Sequence, residues 1–208
     1  MPKQLLYKYR SLDNWKFVID AIANSRLYAA TFDTLNDPME GRYYYFGDDV
    51  SRDFRRAIFE SRKRRRICSL SKTRDNTLLW SYYGGGHKGI ALGVQIHLNK
   101  RPTPLVRDVT YDSIVSVHGK AGSRSADVAA LDILTQKQLA WQHEQEVRVF
   151  TDKPYVAVIL EELVLGCLVD LADQELVRSI ARKWHPRLRI TKLNRSMMDV
   201  PLAVEAVR

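Results

Sequence analysis

The sequence predicts a single α+β domain. Of its 208 residues, 45% are hydrophobic and 27% are charged, close to the average of globular domains and compatible with one domain of ordinary size. Segments with the two-residue period of strands and segments with the 3.6-residue period of helices follow one another without strict alternation. Because a parallel α/β sheet requires regular alternation, several strands are expected to be antiparallel neighbours.

The first half of the chain contains four of the predicted strands. Ser11 or Asp13 can cap a first helix, which carries apolar residues at helical spacing, and Asn36-Asp37-Pro38 is a strong turn signal. Strands are predicted at Leu5–Tyr9, Arg26–Phe32, Ile67–Ser71 and Gly89–Ile96, with helical segments at Asp48–Arg62 and Asn76–Tyr83. The strand Gly89–Ile96 is nearly all apolar, which is typical of a strand covered on both faces.

The second half adds four more strands and two helices. Strands are predicted at Val106–Tyr111, Gln145–Phe150, Leu163–Val169 and Leu188–Leu193, and helices at Ala126–Ala140 and Asp173–Trp184. The small and polar residues of Gly119–Ser125 predict a mobile loop. Since the chain has no internal repeat and no low-complexity tract, residues 1–208 are expected to form one domain.

Two features predict a cytoplasmic protein without a membrane segment. No apolar run reaches the roughly 18 residues of a transmembrane helix, and the N-terminus lacks the apolar core of a signal peptide. The two cysteines, Cys68 and Cys167, are far apart and each lies in an apolar run. A reduced pair is therefore expected rather than a disulfide or a metal site.

The charge balance indicates an anionic partner. The net charge is +9 and the pI is about 9.6, which favours nucleic acid, nucleotide phosphates or an acidic partner protein. The densest basic cluster is Arg62–Arg66. It is either a helix end whose cations complement the helix dipole or a nucleic-acid contact, and charge alone does not choose between them.

Three short strands carry polar residues in patterns that suit a nucleotide ligand. Arginine binds phosphate with two parallel hydrogen bonds, hydroxyls hold a ribose or amide, and carboxylates bind ribose hydroxyls. A merely solvated strand face is the alternative for each of them. The polar positions are Arg10 on the first strand, Ser69 and Ser71 on a middle strand, and Glu144, Glu146 and Arg148 on a late strand.

The late strand places two carboxylates on one face with a cation beside them. Side chains two residues apart on a strand are roughly 7 Å apart at their roots. Close carboxylates raise each other's pKa unless a cation stabilises the charged forms. Arg148, which shares the face of Glu144 and Glu146, is expected to keep both carboxylates ionised.

The stretch from Leu78 to Gly93 combines aromatic residues with glycines. Trp80 and Tyr83 precede the three glycines of residues 84–86, and His87 follows them. Aromatic faces stack on flat rings, and glycines allow a backbone to approach a ligand closely. The alternative is a flexible hairpin over an aromatic core cluster. The spacing matches neither a Walker motif nor a Rossmann fingerprint.

The order of these motifs resembles that of a bacterial domain family of unassigned function. The matching motifs are LYKYR, NDPME, an ICS strand, LLWSYYGGGHKGIALGV and a late KxxxWxxExExR, and they extend over nearly the whole chain. In this sequence the last motif consists of Lys137, Trp141, Glu144, Glu146 and Arg148.

A second resemblance, to ADP-ribosyltransferases, is carried by Arg10, Ser69-x-Ser71 and Glu144-x-Glu146. It implies a split, mainly antiparallel sheet flanked by helices that holds NAD in its cleft, without a metal. Leu70 departs from the pattern, because a Thr is usual between the two serines. The resemblance assigns catalysis to Glu146, Glu144 and Arg10, and NAD binding to Arg10, Tyr9, Ser69, Ser71, Trp80, Tyr83, His87 and Arg148.

Within that resemblance the residues have distinct expected roles. Glu146 would hydrogen-bond the nicotinamide ribose and stabilise its oxocarbenium-like transition state. Glu144 would orient or activate the acceptor, and Trp80 or Tyr83 would stack on nicotinamide. Given the basic charge, a nucleic acid is the expected acceptor, and a toxin or phage-defence effector with an antitoxin or other partner protein is the expected setting.

Two other functions remain open at this point. The chain could be a non-enzymatic module that binds nucleic acid or protein, with the charged strand faces as contact surface. It could also be a metal-dependent nuclease in which Asp37, Glu40, Glu144 and Glu146 bind Mg²⁺. The late motif ends in Arg148, where the commonest nuclease arrangement has a lysine.

Overall fold

The computed structural model describes residues 5–37, 41, 44–46, 51–99, 102–113, 116–118 and 125–194, with 44–46 and 116–118 as backbone only. They form one α+β domain with a mostly antiparallel sheet, as the sequence predicts. The helices are α1 (Trp15–Asn24), α2 (Arg52–Lys63), α3 (Thr77–Tyr82), α4 (Ala126–Leu134) and α5 (Leu171–Trp184), with short 3₁₀ helices at Leu12–Asn14, Phe32–Thr34 and Leu139–Glu144.

Thirteen strands lie in the described ranges. They are β1 (Leu6–Arg10), β2 (Arg26–Tyr28), β3 (Ala30–Thr31), β4 (Tyr44–Phe46), β5 (Arg66–Ser71), β6 (Ile90–Ile96), β7 (Leu105–Asp108), β8 (Thr110–Asp112), β9 (Ser116–His118), β10 (Gln136–Gln138), β11 (Glu146–Thr151), β12 (Tyr155–Leu165) and β13 (Arg189–Lys192). The main sheet has the order β13-β12-β6-β1-β5-β11-β7, with β2 beside β12 and β3 beside β5. Its neighbours are antiparallel except β12 and β13.

The sheet is divided between β1 and β5. β1 pairs with β6 along its whole length, from Leu6 to Arg10, but it pairs with β5 at a single position, Tyr7 opposite Ser71. Farther along β5, the place beside Ile67 is taken by β3. The two halves of the sheet therefore join at one residue pair and separate from it toward Arg10.

Each half of the sheet is covered by its own pair of helices. Buried residues of α1 and α5, such as Ile22 and Val177, share a core cluster with Leu92 and Leu163 of β6 and β12. On the other half, α2 packs on α4 through Ile58, which lies against Ala129, Ala130 and Ile133. Leu134 at the end of α4 packs with Ile67 and Phe150 of β5 and β11. Both halves thus have a rigid support.

The predicted helix Ala126–Ala140 is wrong beyond Leu134. Residues 136–138 instead form β10, which pairs in parallel with β8, and residues 139–144 form a 3₁₀ helix. The pairing with a strand about 25 residues earlier overrides local helix propensity. The late strand accordingly begins at Glu146, because Gln145 has a left-handed conformation with φ 44°.

Two predicted strands also differ from those observed. β12 begins at Tyr155, well before the predicted Leu163, and alternates between exposed and buried side chains over its first half. The segment predicted as one strand from Arg26 divides into β2 and β3 at Ala29, whose N–H donates to the carbonyl of Pro154. The predicted loop of residues 119–124, together with Pro38, lies outside the described residues.

Two global predictions can be compared with the described part of the chain. No helix within it is long and apolar enough to cross a membrane. Within these residues neither Cys68 nor Cys167 forms a disulfide, and Cys68 is buried, whereas Cys167 is partly exposed.

Candidate functional site

A cavity of about 440 Å³ opens where β1 and β5 separate. Cavities of roughly this size hold small-molecule ligands. Residues from β1, β5, the segment after β3, α3 and the region around β10 and β11 surround it. They are Tyr7, Lys8, Tyr9, Arg10, Ser11, Thr34, Leu35, Asn36, Asp37, Ser69, Leu70, Ser71, Leu79, Tyr82, Tyr83, Lys137, Glu144 and Glu146. The three strands whose polar residues suggested a nucleotide site therefore meet at one cavity.

The β1 wall of the cavity presents two cations that form no ion pair with a carboxylate in the described part of the chain. The Nζ of Lys8 donates to the carbonyl of Ser69 at 2.8 Å, and the buried Nε of Arg10 has no hydrogen-bond partner among the described residues. Burial is the main cause that lowers the pKa of both Lys8 and Arg10. Since a buried cation is costly unless it is paired, this wall is suited to an anionic ligand.

The opposite wall holds two carboxylates bridged by one lysine. Lys137 Nζ lies 2.6 Å from an oxygen of Glu144 and 3.3 Å from an oxygen of Glu146. The hydroxyl of Tyr83 donates to the other oxygen of Glu144 at 2.8 Å. All three charged groups are buried. The two carboxylates are thereby fixed side by side, with few alternative positions.

Arg148 fixes Glu146 from behind. Its Nε and Nη2 donate to the two carboxylate oxygens at 2.9 and 3.0 Å, and its Nη1 donates to the carbonyl of Leu134 at 2.5 Å. Burial alone would raise the pKa of Glu146, but Arg148, Lys137 and a hydrogen bond from Ser69 lower it to about 2. Glu146 is therefore ionised at neutral pH. The expected role of Arg148 is refined, because Lys137 is the cation that contacts both carboxylates.

Arg148 does not line the cavity, contrary to its expected place in the NAD site. Its side chain is 1% exposed and its guanidinium lies behind Glu146. It can influence a ligand through Glu146 but cannot contact it.

Glu144 reaches the cavity by a route other than the predicted strand face. It ends the 3₁₀ helix, and the left-handed Gln145 separates it from β11. Two hydrogen bonds hold this turn: Ser71 Oγ donates to the carbonyl of Glu144, and Asn76 Nδ2 donates to the carbonyl of His143, each at 2.7 Å. Strand alternation therefore predicted the correct location of Glu144 beside Glu146, but the wrong backbone structure for it.

The two serines of β5 have different surroundings. Ser71 is buried, and its hydroxyl also accepts a hydrogen bond from the N–H of Thr73. Ser69 is only partly buried, borders the cavity and hydrogen-bonds Glu146. Ser71 thus anchors the turn that carries Glu144, whereas Ser69 is placed to contact a ligand.

Trp80 and His87 do not border the cavity, although the resemblance assigns them to NAD binding. Trp80 is fully buried, its Nε1 donates to the carbonyl of Arg74 at 2.8 Å, and its ring meets Tyr9 edge-to-face at 5.1 Å. His87 stacks on Trp80 with a ring separation of 6.3 Å. The large indole fills the core beneath β1, so the alternative of an aromatic core cluster holds for this pair.

The glycines near this stretch bring backbones together rather than cradle the cavity. A Cβ on Gly89 would lie 2.2 Å from the carbonyl oxygen of Arg10, and one on Gly166 would lie 2.1 Å from that of His87. These close approaches fix the end of β1, where Arg10 enters the cavity. Tyr9 supports the same strand, because its hydroxyl donates to the carbonyl of Thr73 at 2.8 Å.

The cavity residues absent from the site expected from the sequence include Lys8, Lys137 and Tyr82. Lys8 shares the β1 face of Arg10, so strand alternation could have identified it. Lys137 is the first residue of the late motif, and the ring of Trp141 lies 4.9 Å from its Nζ. Tyr82 borders the cavity mouth and is 60% exposed; nothing in the local sequence separates it from the buried aromatic residues nearby.

The acidic residues do not form a metal site in the described part of the chain. No group of three His, Cys, Asp or Glu side chains there is placed to hold a metal ion. Asp37 borders the cavity, but Glu40 lies outside the described residues. The carboxylates of Glu144 and Glu146 accept hydrogen bonds from Lys137 and Arg148 instead.

Comparisons with protein-family models, with curated proteins and with solved structures found no match to this chain. The resemblances of its motifs therefore stay predictions, and a function has to be inferred from the cavity.

Proposed function

We propose that the chain binds NAD in the cavity between β1 and β5 and transfers its ADP-ribose group. The observation that carries the proposal is the separation of charge across the cavity. Among the described residues, Lys8 and Arg10 form no ion pair with a carboxylate on one wall, and Glu144 and Glu146 lie on the other. NAD has the complementary arrangement, with a diphosphate at its centre and a cationic nicotinamide ring at one end.

The chemistry assigns a role to each carboxylate. When the bond between ribose C1′ and the nicotinamide nitrogen breaks, its electron pair leaves with nicotinamide and positive charge develops on the ribose. Glu146, ionised and oriented by Arg148, would stabilise that charge at fixed distance. The acceptor nucleophile then forms the new bond to C1′, and Glu144 accepts its proton and passes it to solvent.

The supporting residues keep these groups in place before the substrate binds. Lys137 holds both carboxylates, Tyr83 donates to the other oxygen of Glu144, and Ser69, which hydrogen-bonds Glu146, would contact the nicotinamide ribose. Such preorganisation is what electrostatic catalysis requires. Arg10 would bind the diphosphate, and Lys8, which lines the same wall, is a second candidate for this role.

The arrangement of the sheet supports an ADP-ribosyltransferase-like fold as part of the proposal. The three motif strands are direct neighbours in the order β1-β5-β11, and Arg148 and Glu146 lie opposite Ser69 and Ser71. The division of the sheet at Tyr7 and Ser71 creates the cleft in which such a fold would hold NAD.

The test is incubation with NAD labelled in its adenylate part, with and without single-stranded RNA, single-stranded DNA or cell lysate. We expect transfer of label or release of nicotinamide, reduced by about 10²–10³-fold in Glu146→Gln. Glu161→Gln, an exposed carboxylate on β12, is the matched control and should retain full activity. Absence of NAD binding at millimolar concentration by calorimetry would overturn the proposal. Cleavage of the added nucleic acid that a chelator abolishes would favour a metal-dependent nuclease.

A further inference from the structure

The exposed side of α2 carries a row of cations with an aromatic ring among them. An α-helix turns by about 100° per residue, so Arg52, Arg56, Phe59 and Lys63 point into a sector about 60° wide. All four are exposed, and the ring of Phe59 has the Nζ of Lys63 at 5.1 Å. We call these four residues the α2 stripe.

The α2 stripe has a positive charge that the described structure does not neutralise. Arg52, Arg56 and Lys63 form no ion pair with any side chain in the described ranges. The acidic residues of the helix, Asp53 and Glu60, point to one side of the sector. The row is about 16 Å long from Arg52 to Lys63, at 1.5 Å per residue.

The basic run Arg62–Arg66 is a less suitable contact surface than its sequence indicates. Arg62 is buried, donates to the carbonyl of Gly41 and lies over the ring of Phe32 at 5.0 Å. Arg64 and Arg65 pair with Asp127 at 3.2 and 3.6 Å. Of that run, Lys63 is therefore the residue that belongs to the exposed row.

We propose that the α2 stripe binds single-stranded nucleic acid, with its cations on the phosphates and Phe59 stacked on a base. A row of Lys and Arg along one helix side is the electrostatic footprint of phosphate-backbone binding. An aromatic ring at the protein surface stacks on bases whose faces are free, as they are in a single strand and not within a duplex. A membrane surface does not fit, because the apolar side of α2 is already buried on α4 through Ile58.

The stripe is connected to the candidate active site by two routes. After α2 the chain passes through Arg64 and Arg65 into β5, where Ser69, the fourth residue of the strand, borders the cavity. Arg62 packs on Phe32, which begins the 3₁₀ helix that ends at cavity-lining Thr34. A nucleic-acid strand bound to the α2 stripe would therefore lie on the helix that leads directly into a strand of the cavity wall. The role of this nucleic acid as the acceptor of ADP-ribose rests on the proposed function, whereas its binding to the α2 stripe does not.

The experiment is fluorescence anisotropy with labelled 12-nucleotide RNA and DNA single strands in the absence of NAD. The test variant combines Arg52→Gln, Arg56→Gln and Lys63→Gln. The matched control combines Arg182→Gln, Lys183→Gln and Arg187→Gln at the end of α5 and after it, which are exposed and neighbour an exposed Trp184, 5.7 Å from Lys183 Nζ. Both variants lose three positive charges.

We expect the α2 variant to bind at least tenfold more weakly and the control to change by less than twofold. The slope of log affinity against log salt concentration should fall by about 2, since each lost phosphate contact on a single strand removes about 0.7. Phe59→Ala should weaken binding by about fivefold or more, and Trp184→Ala should leave it unchanged. Melting curves confirm that each variant is folded.

Three results would overturn the proposal. Equal losses in the two triple variants would show that overall charge, not this surface, binds the strand. Competition by polyglutamate as effective as that by an oligonucleotide of equal charge would indicate an acidic protein partner. Absence of binding to either strand at low salt would exclude the site. Because nicotinamide release from NAD needs no nucleic acid, a failure here is distinguishable from a failure of the proposed function.

Discussion

Arg148 and Glu146 form a buried pair joined by two parallel hydrogen bonds of 2.9 and 3.0 Å. Their side chains are 1% and 4% exposed, and Lys137 is a second cation on the same carboxylate. Burial is costly for each ion, so the pair is maintained by the completeness of its hydrogen bonds. It holds the ionised carboxylate of Glu146 at the cavity wall.

The pair predicts a specific loss of stability in acid. The pKa of Glu146 is about 2 in the folded chain, against an ordinary value of 4.5. Because the folded-state pKa is the lower one, the stabilisation is fully present above pH 4.5 and is lost as pH falls toward 2. It amounts to about 3 kcal/mol. Protonated Glu146 resembles glutamine, so the gap in unfolding free energy between the native chain and Glu146→Gln should narrow from pH 5 to pH 3.

Urea titrations at a series of pH values measure this gap. Glu161→Gln, with its exposed side chain, should differ little from the native chain at any of these pH values. A gap between the native chain and Glu146→Gln that stays constant with pH would contradict the assigned pKa.

Lys8 is predicted to strengthen NAD binding without stabilising the folded protein. It is a cation whose recorded partner is an uncharged carbonyl, and burial lowers its pKa. Lys8→Met removes the desolvation cost along with one hydrogen bond, so unfolding free energy should stay level or rise by about 1 kcal/mol. The Kd for NAD should nevertheless increase at least tenfold, because an attraction to the diphosphate is lost.

Calorimetry with NAD and urea unfolding test the two halves of this prediction separately. Lys88→Met, which replaces an exposed lysine, should change neither quantity. A fall in stability of more than about 1 kcal/mol, or an unchanged Kd, would show that Lys8 has a structural role instead.

The sequence predicted the parts of this structure that depend on local patterns. Apolar periodicity located β1, β5 and β6, and residue chemistry selected Arg10, Ser69 and Glu146, which the fold brings to one cavity. It did not predict β10, because that strand exists by pairing with β8. The same limit applies to Lys137, since its partners are determined by the turn around Gln145.

Aromatic residues show the limit most clearly. Trp80 and Tyr82 are two positions apart on α3, yet one is fully buried and the other is 60% exposed. Both types suit a core and a ligand surface equally well. The difference arises from which side of this short helix faces β1, and that is decided by packing between segments distant in sequence.

Trp80 and Tyr83 are predicted to affect different properties. Trp80→Phe loses the hydrogen bond to the carbonyl of Arg74 and part of a fully buried ring, so it should lower unfolding free energy by about 1–3 kcal/mol without changing NAD affinity. Tyr83→Phe frees one oxygen of Glu144 and should lower the transfer rate with a smaller effect on stability. Thermal unfolding and initial transfer rates distinguish the two variants. A slower transfer in Trp80→Phe together with a larger loss of stability in Tyr83→Phe would contradict the site described above.

Two glycines provide a matched test of how the end of β1 supports the site. In Gly89→Ala the new Cβ would meet the backbone carbonyls of Arg10 at 2.2 Å and of Gly84 at 2.7 Å. The carbonyl of Arg10 cannot move without displacing β1, so we expect a loss of about 3 kcal/mol or more and weaker NAD binding in the protein that remains folded. In Gly86→Ala nothing lies within 4 Å, and the cost is the strain of a φ of +62°, about 1 kcal/mol. Calorimetry at low temperature compares the NAD affinities of the two variants. Equal affinities would show that the position of Arg10 does not depend on the close approach of Gly89 to its carbonyl.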